Sequence, residues 1–599
     1  MASQTINLFQ WVGAVARTAP ALPHVAKGLW NLVTLKPDQI GSIGLRFAQL
    51  AASQPDQPAL VFEGRTWTYA QFNIWANQIA HTLSATGIRQ GDSVGVLMEN
   101  RAELLACVLG IVKLGAIATL LNNQQRGDPL AHSLRITQPK VVILGEECVE
   151  AFESLAPAIR AELGAQWWWE GDAAAPFGTD SLRRRTLKAE SSNPPQTERI
   201  TLRQPCFHIF TSGTTGLPKA SVMTHYRWHR CMAGLGQLGL RLKSDDVLYC
   251  PLPMYHNNAL TVSWSAVVGA GACMALSRKF SASRFWDEIR ANKATAFCYI
   301  GELCRYLLNQ PARNTDQTHN VRAIIGNGLR PDIWEAFQAR FNIPHIAEFY
   351  TASECNLAFV NAFNFQGTAG YCPLPYAIVA FDVENEVPVR QADGKSAGTM
   401  RKVAKGECGL LLTEITDKAP LDGYTDSKAT EAKVFRNVFK PGDAWFNTGD
   451  LIRDMGFGHI GFVDRVGDTF RWKGENVATT EVEAALGCIE GIEEAVVYGV
   501  EVPGADGRAG MAAIRWDHSQ GPLDGVALAQ ALHKALPKYA VPLFIRVREE
   551  HEVTATFKHR KVELKREGFD VDKVADALYA LGENGYELMQ PAHQIARRA

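Results

Sequence analysis

Short apolar runs alternate with longer amphipathic segments over residues 60–150. Residues 93–98 and 141–144 are apolar runs of strand length, whereas residues 69–86 and 101–114 repeat apolar side chains at helical spacing. Strands that alternate with helices in this way are typical of parallel α/β layers. The pattern therefore predicts a large α/β domain in the first part of the chain.

The pattern changes in the second part of the chain. Residues 370–445 contain shorter strands interrupted by glycine, proline and aspartate, which predicts a small β-rich subdomain. After Gly467 the pattern predicts a helix over residues 480–487, a strand over 494–502 and a helix over 526–535. These elements are typical of a small α+β unit.

Together the segments predict an α/β protein with two domains of unequal size. Residues 1–465 form a large multi-layer N-terminal domain that includes the β-rich subdomain, and residues 466–599 form a small, mobile α+β C-terminal domain joined to it by a hinge. A polar stretch at residues 173–201 is predicted to be a mobile connection. A chain of 599 residues with 46% hydrophobic composition can bury the cores of two or more domains.

One internal segment has the length of a membrane span. Residues 259–276 are eighteen residues without a charge, which reaches the lower limit for crossing a bilayer. The segment also contains Gly269, Gly271 and several small residues. We therefore predict a buried helix that runs into a buried strand.

The first 45 residues form a second segment that bears on membranes. Aromatic and aliphatic residues alternate there with small residues and with Arg17 and Lys27. This composition is compatible with an amphipathic segment on a membrane surface and equally with a helix packed on its own domain. The predicted location is accordingly cytoplasmic, either free or peripheral on the inner face of a membrane.

Charge and cysteine content argue against some partners and some kinds of metal site. The chain has 61 basic and 62 acidic side chains, and this balance provides no global field that would attract a nucleic acid. The twelve cysteines are scattered, with no C-x-x-C pair and no histidine cluster at metal-ligand spacing. This pattern favours a reducing compartment and argues against a structural zinc site.

The stretch 211–219 has the composition of a phosphate-binding loop. It follows an apolar strand and combines four hydroxyl side chains, two glycines and a terminal lysine. Glycines allow backbone N–H groups to approach an anion, while hydroxyls and the lysine add donors and charge. It is not the common G-x-x-x-x-G-K-[ST] loop, because Leu217 and Pro218 separate the second glycine from the lysine.

This stretch resembles the phosphate-binding signature of the adenylate-forming superfamily, which comprises acyl-CoA synthetases, firefly luciferase and the adenylation domains of peptide synthetases. Six further segments are similar to motifs of that superfamily and follow in the same order: 253–258, 324–330, 348–354, 448–450, 464–468 and 554–558. Two more segments, 297–308 and 468–479, resemble the fatty-acid transport protein and very-long-chain acyl-CoA synthetase branch.

The resemblance implies roles for individual residues. Lys558 would bridge the carboxylate and the α-phosphate, His256 would lie beside the carboxylate, and Glu354 with Thr211 would hold magnesium. The implied ATP- and AMP-binding residues are Thr211, Ser212, Gly213, Thr214, Thr215, Gly216, Lys219, Gly326, Asn327, Tyr350, Thr351, Asp450 and Arg465. Gly467 would be the hinge, with Lys473 and Gly474 on the side of coenzyme A. The predicted acyl pocket consists of Leu260, Phe297, Tyr299 and Leu303.

Two positions depart from the usual superfamily pattern. Gly467 stands where most relatives carry aspartate or lysine, and Phe557 replaces a glycine next to Lys558. Both departures are similar to the fatty-acid transport branch. Lys561 is the neighbour that could be confused with Lys558.

The resemblance implies a fatty acyl-CoA synthetase that uses ATP, Mg²⁺ and coenzyme A. The acid would first form an acyl-AMP with release of pyrophosphate, and CoA would then displace AMP. Two alternatives remain open. One is a CoA ligase for a bile acid, a carnitine-like acid or an aryl acid, and the other is a membrane fatty-acid uptake protein with coupled ligase activity.

Overall fold

The computed structural model describes residues 5–211, 217–383, 385–392, 398–473, 475–503, 505, 507–550, 561–571 and 574–589. Their contacts divide the chain into two compact units. The large unit consists of Leu8–Leu374 and Ile415–Val434, and the small unit consists of Met1–Asn7, Pro375–Glu414 and Phe435–Ala599. The predicted domain boundary after residue 465 falls inside the small unit and stays a prediction.

The helices and strands of the large unit follow one another as the sequence pattern indicates. Its strands are β1 Pro58–Phe62, β2 Arg65–Thr68, β3 Ser93–Leu97, β4 Ile117–Leu120, β5 Val141–Gly145, β6 Gln166–Glu170, β7 Thr179–Ser181, β8 Pro205–Thr211, β9 Lys219–Thr224, β10 Val247–Cys250, β11 Cys273–Leu276, β12 Ala296–Ile300, β13 Ala323–Asn327, β14 Ile346–Tyr350, β15 Phe359–Val360 and β16 Gly370–Tyr371. Its α-helices are α1 Leu8–Thr18, α2 Leu22–Thr34, α3 Ile43–Ser53, α4 Tyr69–Ala85, α5 Ala102–Lys113, α6 Gly127–Thr137, α7 Val149–Glu153, α8 Pro157–Leu163, α9 Leu182–Thr186, α10 His225–Cys231, α11 Trp264–Ala270, α12 Phe285–Ala291, α13 Gly301–Leu308, α14 Pro331–Phe341 and α15 Ser427–Glu431. Two π-helices are π1 Met232–Leu240 and π2 Asn258–Ser263.

The first sheet of the large unit has seven strands in the order β7-β6-β5-β3-β4-β8-β9. All neighbours are parallel except β8 and β9, which are antiparallel. Every residue of β3 and β5 is buried. Continuous apolar strands are typical of a parallel sheet covered on both faces, as the sequence predicted.

The second sheet of the large unit runs in the order β2-β1-β11-β10-β12-β13-β14-β15-β16. Six neighbouring strands of this order, β1, β11, β10, β12, β13 and β14, are parallel to one another. At the two ends of the order, β2, β15 and β16 are antiparallel to their neighbours. The carboxyl ends of β12, β13 and β14 therefore meet at one edge, where α/β proteins commonly bind ligands.

The uncharged segment 259–276 is buried, as predicted. It forms most of π2, then α11 and β11, and β11 lies between β1 and β10 in the second sheet. Among the residues that the structure describes, no helix is long and apolar enough to cross a membrane.

The polar stretch 173–201 differs from the mobile connection that the sequence predicts. It contains β7 and α9, and hydrogen bonds hold its second half against α4 and α5. The Asn77 amide donates to the Ser191 carbonyl at 2.8 Å, and Lys113 Nζ donates to Asn193 Oδ1 at 2.7 Å. Burial lowers the pKa of Lys113 to about 7. These contacts were not visible in the sequence because the partners lie on separate elements.

The strands of the small unit are mostly antiparallel. Its strands are β17 Tyr376–Val379, β18 Phe381–Asp382, β19 Val387–Pro388, β20 Cys408–Glu414, β21 Val434–Arg436, β22 Ala444–Gly456, β23 His459–Arg465, β24 Phe470–Trp472, β25 Glu475–Val477, β26 Ile492–Glu501, β27 Arg508–Trp516, β28 Phe544–Val547, β29 Ala577–Leu581 and β30 Tyr586–Leu588. Its α-helices are α16 Thr479–Gly487, α17 Gly525–Ala535 and α18 Lys561–Glu567.

The strands β17-β20-β22-β23 form the β-rich part, and β26-β27-β28-β29-β30 form a second sheet with one parallel pair, β27 and β28. The helix, strand and helix predicted after Gly467 correspond to α16, β26 and α17, with boundaries shifted by one or two residues. The predicted α/β fold with a large and a small unit is confirmed.

Candidate active site

Three of the motif segments of the large unit meet at the carboxyl edge of the second sheet. Tyr299 of β12 pairs with Gly326 of β13, and Gly326 pairs with Glu348 of β14. Asn327 and Tyr350 are the last residues of β13 and β14. Three segments that are far apart in the chain thus end side by side.

Glycines are required where β13 meets the start of α13. A Cβ on Gly326 would lie 2.3 Å from the Tyr299 carbonyl oxygen, and one on Gly301 would lie 1.7 Å from the Gly328 carbonyl oxygen. Gly328 also has a φ of 83°, a conformation that favours glycine. Neighbouring backbone therefore packs closely against residues 326–328 and leaves no room for side chains. A stretch of backbone without side chains can lie flat against a planar ligand.

A buried carboxylate supports this glycine turn. Glu348 Oε1 accepts hydrogen bonds from the backbone N–H groups of Gly328 and Leu329, and the Tyr299 hydroxyl donates to Glu348 Oε2. Burial raises the pKa of Glu348 to about 8. Asn258 of π2 adds a further link, since its amide donates to the Tyr299 carbonyl at 3.0 Å and to Asn327 Oδ1 at 3.1 Å. Sequence analysis missed Glu348 and Asn258; the only signal for Glu348 was an acidic residue inside an apolar strand.

The predicted acyl-pocket residues are all fully buried. Leu260 lies in π2, Phe297 and Tyr299 lie in β12, and Leu303 lies in α13. The Phe297 ring packs against Phe285, with ring centroids 5.0 Å apart. Their place in the pocket stays a prediction, because core packing would select the same residues.

The ends of the phosphate loop lie opposite each other in the first sheet. Thr211 ends β8 and pairs with Lys219, which begins β9. Five of the predicted phosphate-binding residues lie outside the described residues: Ser212, Gly213, Thr214, Thr215 and Gly216. The antiparallel pair β8–β9 thus fixes the two ends from which the predicted loop extends.

A tyrosine that sequence analysis missed joins the loop ends to the proposed magnesium ligand. The Tyr424 hydroxyl donates to Glu354 Oε1 at 2.9 Å, and Lys219 Nζ lies 5.7 Å from the centre of the Tyr424 ring. Burial, and then the neighbouring Glu354 carboxylate, raise the pKa of Tyr424, so the hydroxyl keeps its proton. The Thr351 hydroxyl, three residues from Glu354, donates to the Leu357 carbonyl at 3.0 Å.

The residues here fit a magnesium ion that is shared with a nucleotide. Mg²⁺ prefers hard oxygen ligands and is commonly held by one or two carboxylates together with substrate phosphates and water. Glu354 supplies a carboxylate that accepts a hydrogen bond from Tyr424, and Thr211 supplies a hydroxyl beside Lys219, whose Nζ lies over the ring of the same tyrosine. His256 lies immediately before π2, with its ring 4.5 Å from that of Tyr255.

In the small unit, the predicted ribose and nucleotide residues are neighbours. Asp450 of β22 pairs with Arg465 of β23, and Arg465 Nε lies 3.7 Å from Asp450 Oδ1. Two residues further along, Gly467 has open space where a Cβ would stand, and its carbonyl accepts a hydrogen bond from Lys565 Nζ at 2.8 Å. Lys473 adopts a φ of 51°. Gly474 lies outside the described residues.

Of the two lysines near the end of the predicted motif region, the structure describes Lys561. Lys558 lies outside the described residues, whereas Lys561 begins α18 and is held by acidic partners. Lys561 Nζ lies 3.1 Å from Glu483 Oε1 and 3.0 Å from Thr479 Oγ1. Burial alone would lower the pKa of Lys561, but Glu483, Asp468 and Asp464 raise it above its ordinary value. Lys561 is therefore a structural cation.

Known proteins match the chain across both units. A family model described as AMP-binding enzyme matches residues 47–398, and one described as AMP-binding enzyme C-terminal domain matches residues 481–558. The chain belongs to the AMP-binding enzyme family. The predicted superfamily is thereby confirmed, and the matched ranges include the phosphate loop, Glu354 and Lys558.

Curated relatives of this family member cover nearly its whole length. It is 47% identical to the medium/long-chain-fatty-acid–CoA ligase FadD6 of Mycobacterium tuberculosis, over 98% of this chain and 96% of that protein. It is 40% identical to the long-chain fatty acid transport protein 2 of Rattus norvegicus, over 90% of this chain and 87% of that protein. These relatives agree with the predicted branch.

Solved structures confirm the fold. The ATP-bound MatB from Rhodopseudomonas palustris superposes with a TM-score of 0.74 at 23% identity, covering 87% of this chain and 98% of that one. A fatty acyl CoA synthetase from Mycobacterium tuberculosis gives a TM-score of 0.60 at 23% identity, covering 88% and 98%.

Proposed function

We propose that this AMP-binding enzyme is a long-chain or very-long-chain fatty acyl-CoA ligase that works through an acyl-AMP intermediate. The observation that carries the proposal is the meeting of Thr211, Lys219 and Glu354 at the two ends of the phosphate loop. The names of the relatives reported above support a fatty acid as the substrate.

In the first half-reaction a carboxylate oxygen attacks the α-phosphorus of ATP. A new P–O bond forms to the acid, the bond to the bridging oxygen of the β-phosphate breaks, and pyrophosphate leaves. Both reactants are anions, so the residues act by neutralising charge and by fixing position. Lys219 lies at the pyrophosphate side, Lys558 lies between carboxylate and α-phosphate, and a magnesium ion bound at Glu354 and Thr211 would offset the charge of the leaving group.

In the second half-reaction the CoA sulfur attacks the acyl carbonyl. The thioester C–S bond forms, the C–O bond to AMP breaks, and the thiol proton is lost, since a free thiol with a pKa near ~8.5 is a poor nucleophile until it ionises. We propose that the C-terminal part rotates at Gly467 between the two steps, which withdraws Lys558 and presents Lys473 and Gly474 to CoA.

Acid-dependent exchange of labelled pyrophosphate into ATP tests the proposed substrate class. We expect exchange with saturated fatty acids of graded length, rising toward long chains, and release of AMP during turnover with CoA. Bile, carnitine-like and aryl acids serve as the comparison panel. Exchange with one of those acids alone, or release of ADP, would overturn the proposal. Oleate uptake by cells without any oleoyl-CoA formation by the purified chain would favour the uptake protein instead.

Replacing Gly467 with proline is expected to slow thioester formation selectively. Proline fixes φ and restricts the residue before it, so it opposes a rotation about this point. Gly467→Ala is the matched control, because a Cβ at this position meets no atom within 4 Å. Single-turnover assays of the two half-reactions separate the steps. An unchanged second step in the proline variant would place the hinge elsewhere.

The N-terminal helices favour peripheral association with a membrane as an additional property. On one face, α2 packs on π1, where a Cβ on Gly28 would lie 2.8 Å from Leu238. On the other side, large apolar side chains remain exposed, including Phe9 at 89%, Trp30 at 69% and Val33 at 72%. The packing of α2 on π1 supports a helix that packs on its own domain. The exposed apolar side chains support the other alternative, and we propose that they rest on lipid.

Replacing Phe9, Trp30 and Val33 together with serine is expected to weaken binding to anionic lipid vesicles by more than ~tenfold, because three apolar side chains would no longer enter the interface. Phe177→Ser is the matched control, since Phe177 is fully exposed outside these helices. Co-sedimentation with vesicles measures the effect. Equal binding by the triple variant and the control would contradict the proposed lipid contact.

A further inference from the structure

Residues 415–434 belong to the large unit, although the residues before and after them in the sequence belong to the small unit. They pair with β9, the strand that follows the phosphate loop. We call these residues the return segment. Val222 N donates to the Gly423 carbonyl at 3.0 Å, and Thr425 N donates to the Ala220 carbonyl at 2.9 Å. Tyr424 therefore stands in a register fixed by the same strand that begins with Lys219.

Hydrogen bonds hold the backbone around Glu354 independently of Tyr424. The buried guanidinium of Arg227 donates to the carbonyls of Ser353 and Cys355, at 2.8 Å and 2.7 Å, one on each side of Glu354. The Ser221 hydroxyl also donates to the Ser353 carbonyl at 2.7 Å. With the backbone fixed in this way, the direction of the Glu354 carboxylate depends on what its side chain contacts.

We propose that Tyr424 is a positioning residue, whose hydroxyl directs the carboxylate of Glu354 toward the magnesium ion of the nucleotide. This inference rests on the proposed function, which places magnesium at Glu354 and Thr211. The hydroxyl donates to Glu354 Oε1 at 2.9 Å, so Oε2 would be the carboxylate oxygen offered to the ion. The backbone of Tyr424 forms a β-bridge with Ser221 of β9, so the position of the hydroxyl is set by the strand that follows the phosphate loop.

The aromatic ring adds a second function that can be separated from the hydroxyl. Lys219 Nζ lies 5.7 Å from the ring centre, within the range of a cation–π contact. Tyr424→Phe keeps this contact and removes only the hydroxyl. The phenylalanine variant therefore tests the positioning of Glu354 while keeping the contact with the lysine.

The test measures metal binding directly as well as activity. Mn²⁺ binding is followed by electron paramagnetic resonance in the presence of a non-hydrolysable ATP analogue. We expect Tyr424→Phe to bind the metal–nucleotide ~10–100-fold more weakly, as is usual when a residue that orients a metal ligand is lost, and to need correspondingly more Mg²⁺ for half-maximal pyrophosphate exchange. Saturating Mg²⁺ should restore most of the exchange rate.

Tyr226→Phe is the matched control. The Tyr226 hydroxyl also donates to the return segment, to the Lys418 carbonyl at 3.1 Å, but Tyr226 is not part of the proposed site. We expect this variant to bind metal as the wild type does. Equal metal affinity in the two phenylalanine variants would overturn the proposal.

A double-mutant cycle adds a readout that a merely structural role would not change. In a Glu354→Gln background, removing the Tyr424 hydroxyl should cost no further metal affinity, because the ligand that it directs is already altered. Additive losses would contradict the inference. If the wild-type enzyme showed no acid-dependent pyrophosphate exchange, the proposed function itself would be wrong. Failure of the proposed function can therefore be distinguished from failure of the proposed role of Tyr424.

Discussion

Replacing Lys558 with alanine is expected to slow acyl-adenylate formation by a factor of hundreds while leaving the second half-reaction intact. Lys558 is proposed to lie between two anions that must come into contact, and losing one group that stabilises developing charge commonly costs about 3–4 kcal/mol of barrier. In the second half-reaction that lysine is proposed to have withdrawn from the site. Its removal should therefore leave the attack of CoA unaffected.

Single-turnover experiments separate the two steps for Lys558→Ala. Acyl-AMP formation is measured from the acid and ATP, and thioester formation is measured from supplied acyl-AMP and CoA. Lys538→Ala controls for the loss of one positive charge, since Lys538 is an exposed residue of the small unit. Equal losses in both steps would remove Lys558 from its proposed role.

The parts of the fold that were predictable from the sequence are those that local pattern determines. β3 and β5 are buried at every position, so their apolar runs identify strands covered on both faces. The helix α4 begins at Tyr69, directly after its N-cap residue Thr68, which forms a capping box with Gln71, and this boundary is encoded within four residues. Periodicity and capping are local signals, which explains why these boundaries were predicted closely.

The parts of the site that escaped prediction depend on contacts between distant residues. Tyr424 and Glu354 are 70 residues apart, and Tyr424 lies in a polar stretch without periodicity. The sequence placed this stretch in a β-rich subdomain, whereas the return segment belongs to the large unit. Arg227 likewise contacts backbone carbonyls more than 120 residues away. Such partners become visible only when the sheets bring the segments together.

The motif segments were identified in the sequence by their resemblance to the superfamily, and the binding roles of their residues stay predictions. Gly326 and Asn327 end β13, and Tyr350 ends β14, as a ligand-binding edge requires. The role of Glu348 beneath them was not predictable. An acidic residue in a buried strand has no local signature that distinguishes a support for a turn from a residue that faces solvent.

Replacing Lys561 is also expected to have a large effect, on the free energy of unfolding rather than on the reaction. Its ammonium lies 3.1 Å from Glu483, its side chain is 18% exposed, and Asp464 and Asp468 also contribute to its raised pKa. Replacing Lys561 with methionine leaves these carboxylates without their common cation. Removing one partner of a largely buried ion pair typically costs about 3–5 kcal/mol, and we expect a value of about 3 kcal/mol because the site is not fully enclosed.

The destabilisation should depend on pH in a defined direction. Burial would raise the pKa of Asp468, but Lys561 and Lys565 lower it below its ordinary value, so its contribution to stability is present at neutral pH and lost as the pH falls. In Lys561→Met the carboxylates can escape their unfavourable charge by binding protons. The difference in unfolding free energy between wild type and variant should therefore be smaller near pH ~5 than near pH ~8.

Calorimetry of the full chain, combined with the adenylation rate per folded molecule, distinguishes this role from catalysis. We expect Lys561→Met to unfold at a lower temperature and to form acyl-AMP at close to the wild-type rate while folded. Lys565→Met is the matched control, because it also removes a cation that contacts Asp468, at 3.1 Å, while the contact between Lys561 and Glu483 stays in place. If the Lys561 variant instead kept wild-type stability and lost adenylation, the bridging role would belong to Lys561 and not to Lys558. The three carboxylates would then hold the Lys561 ammonium for the reaction, because the fold would not need it.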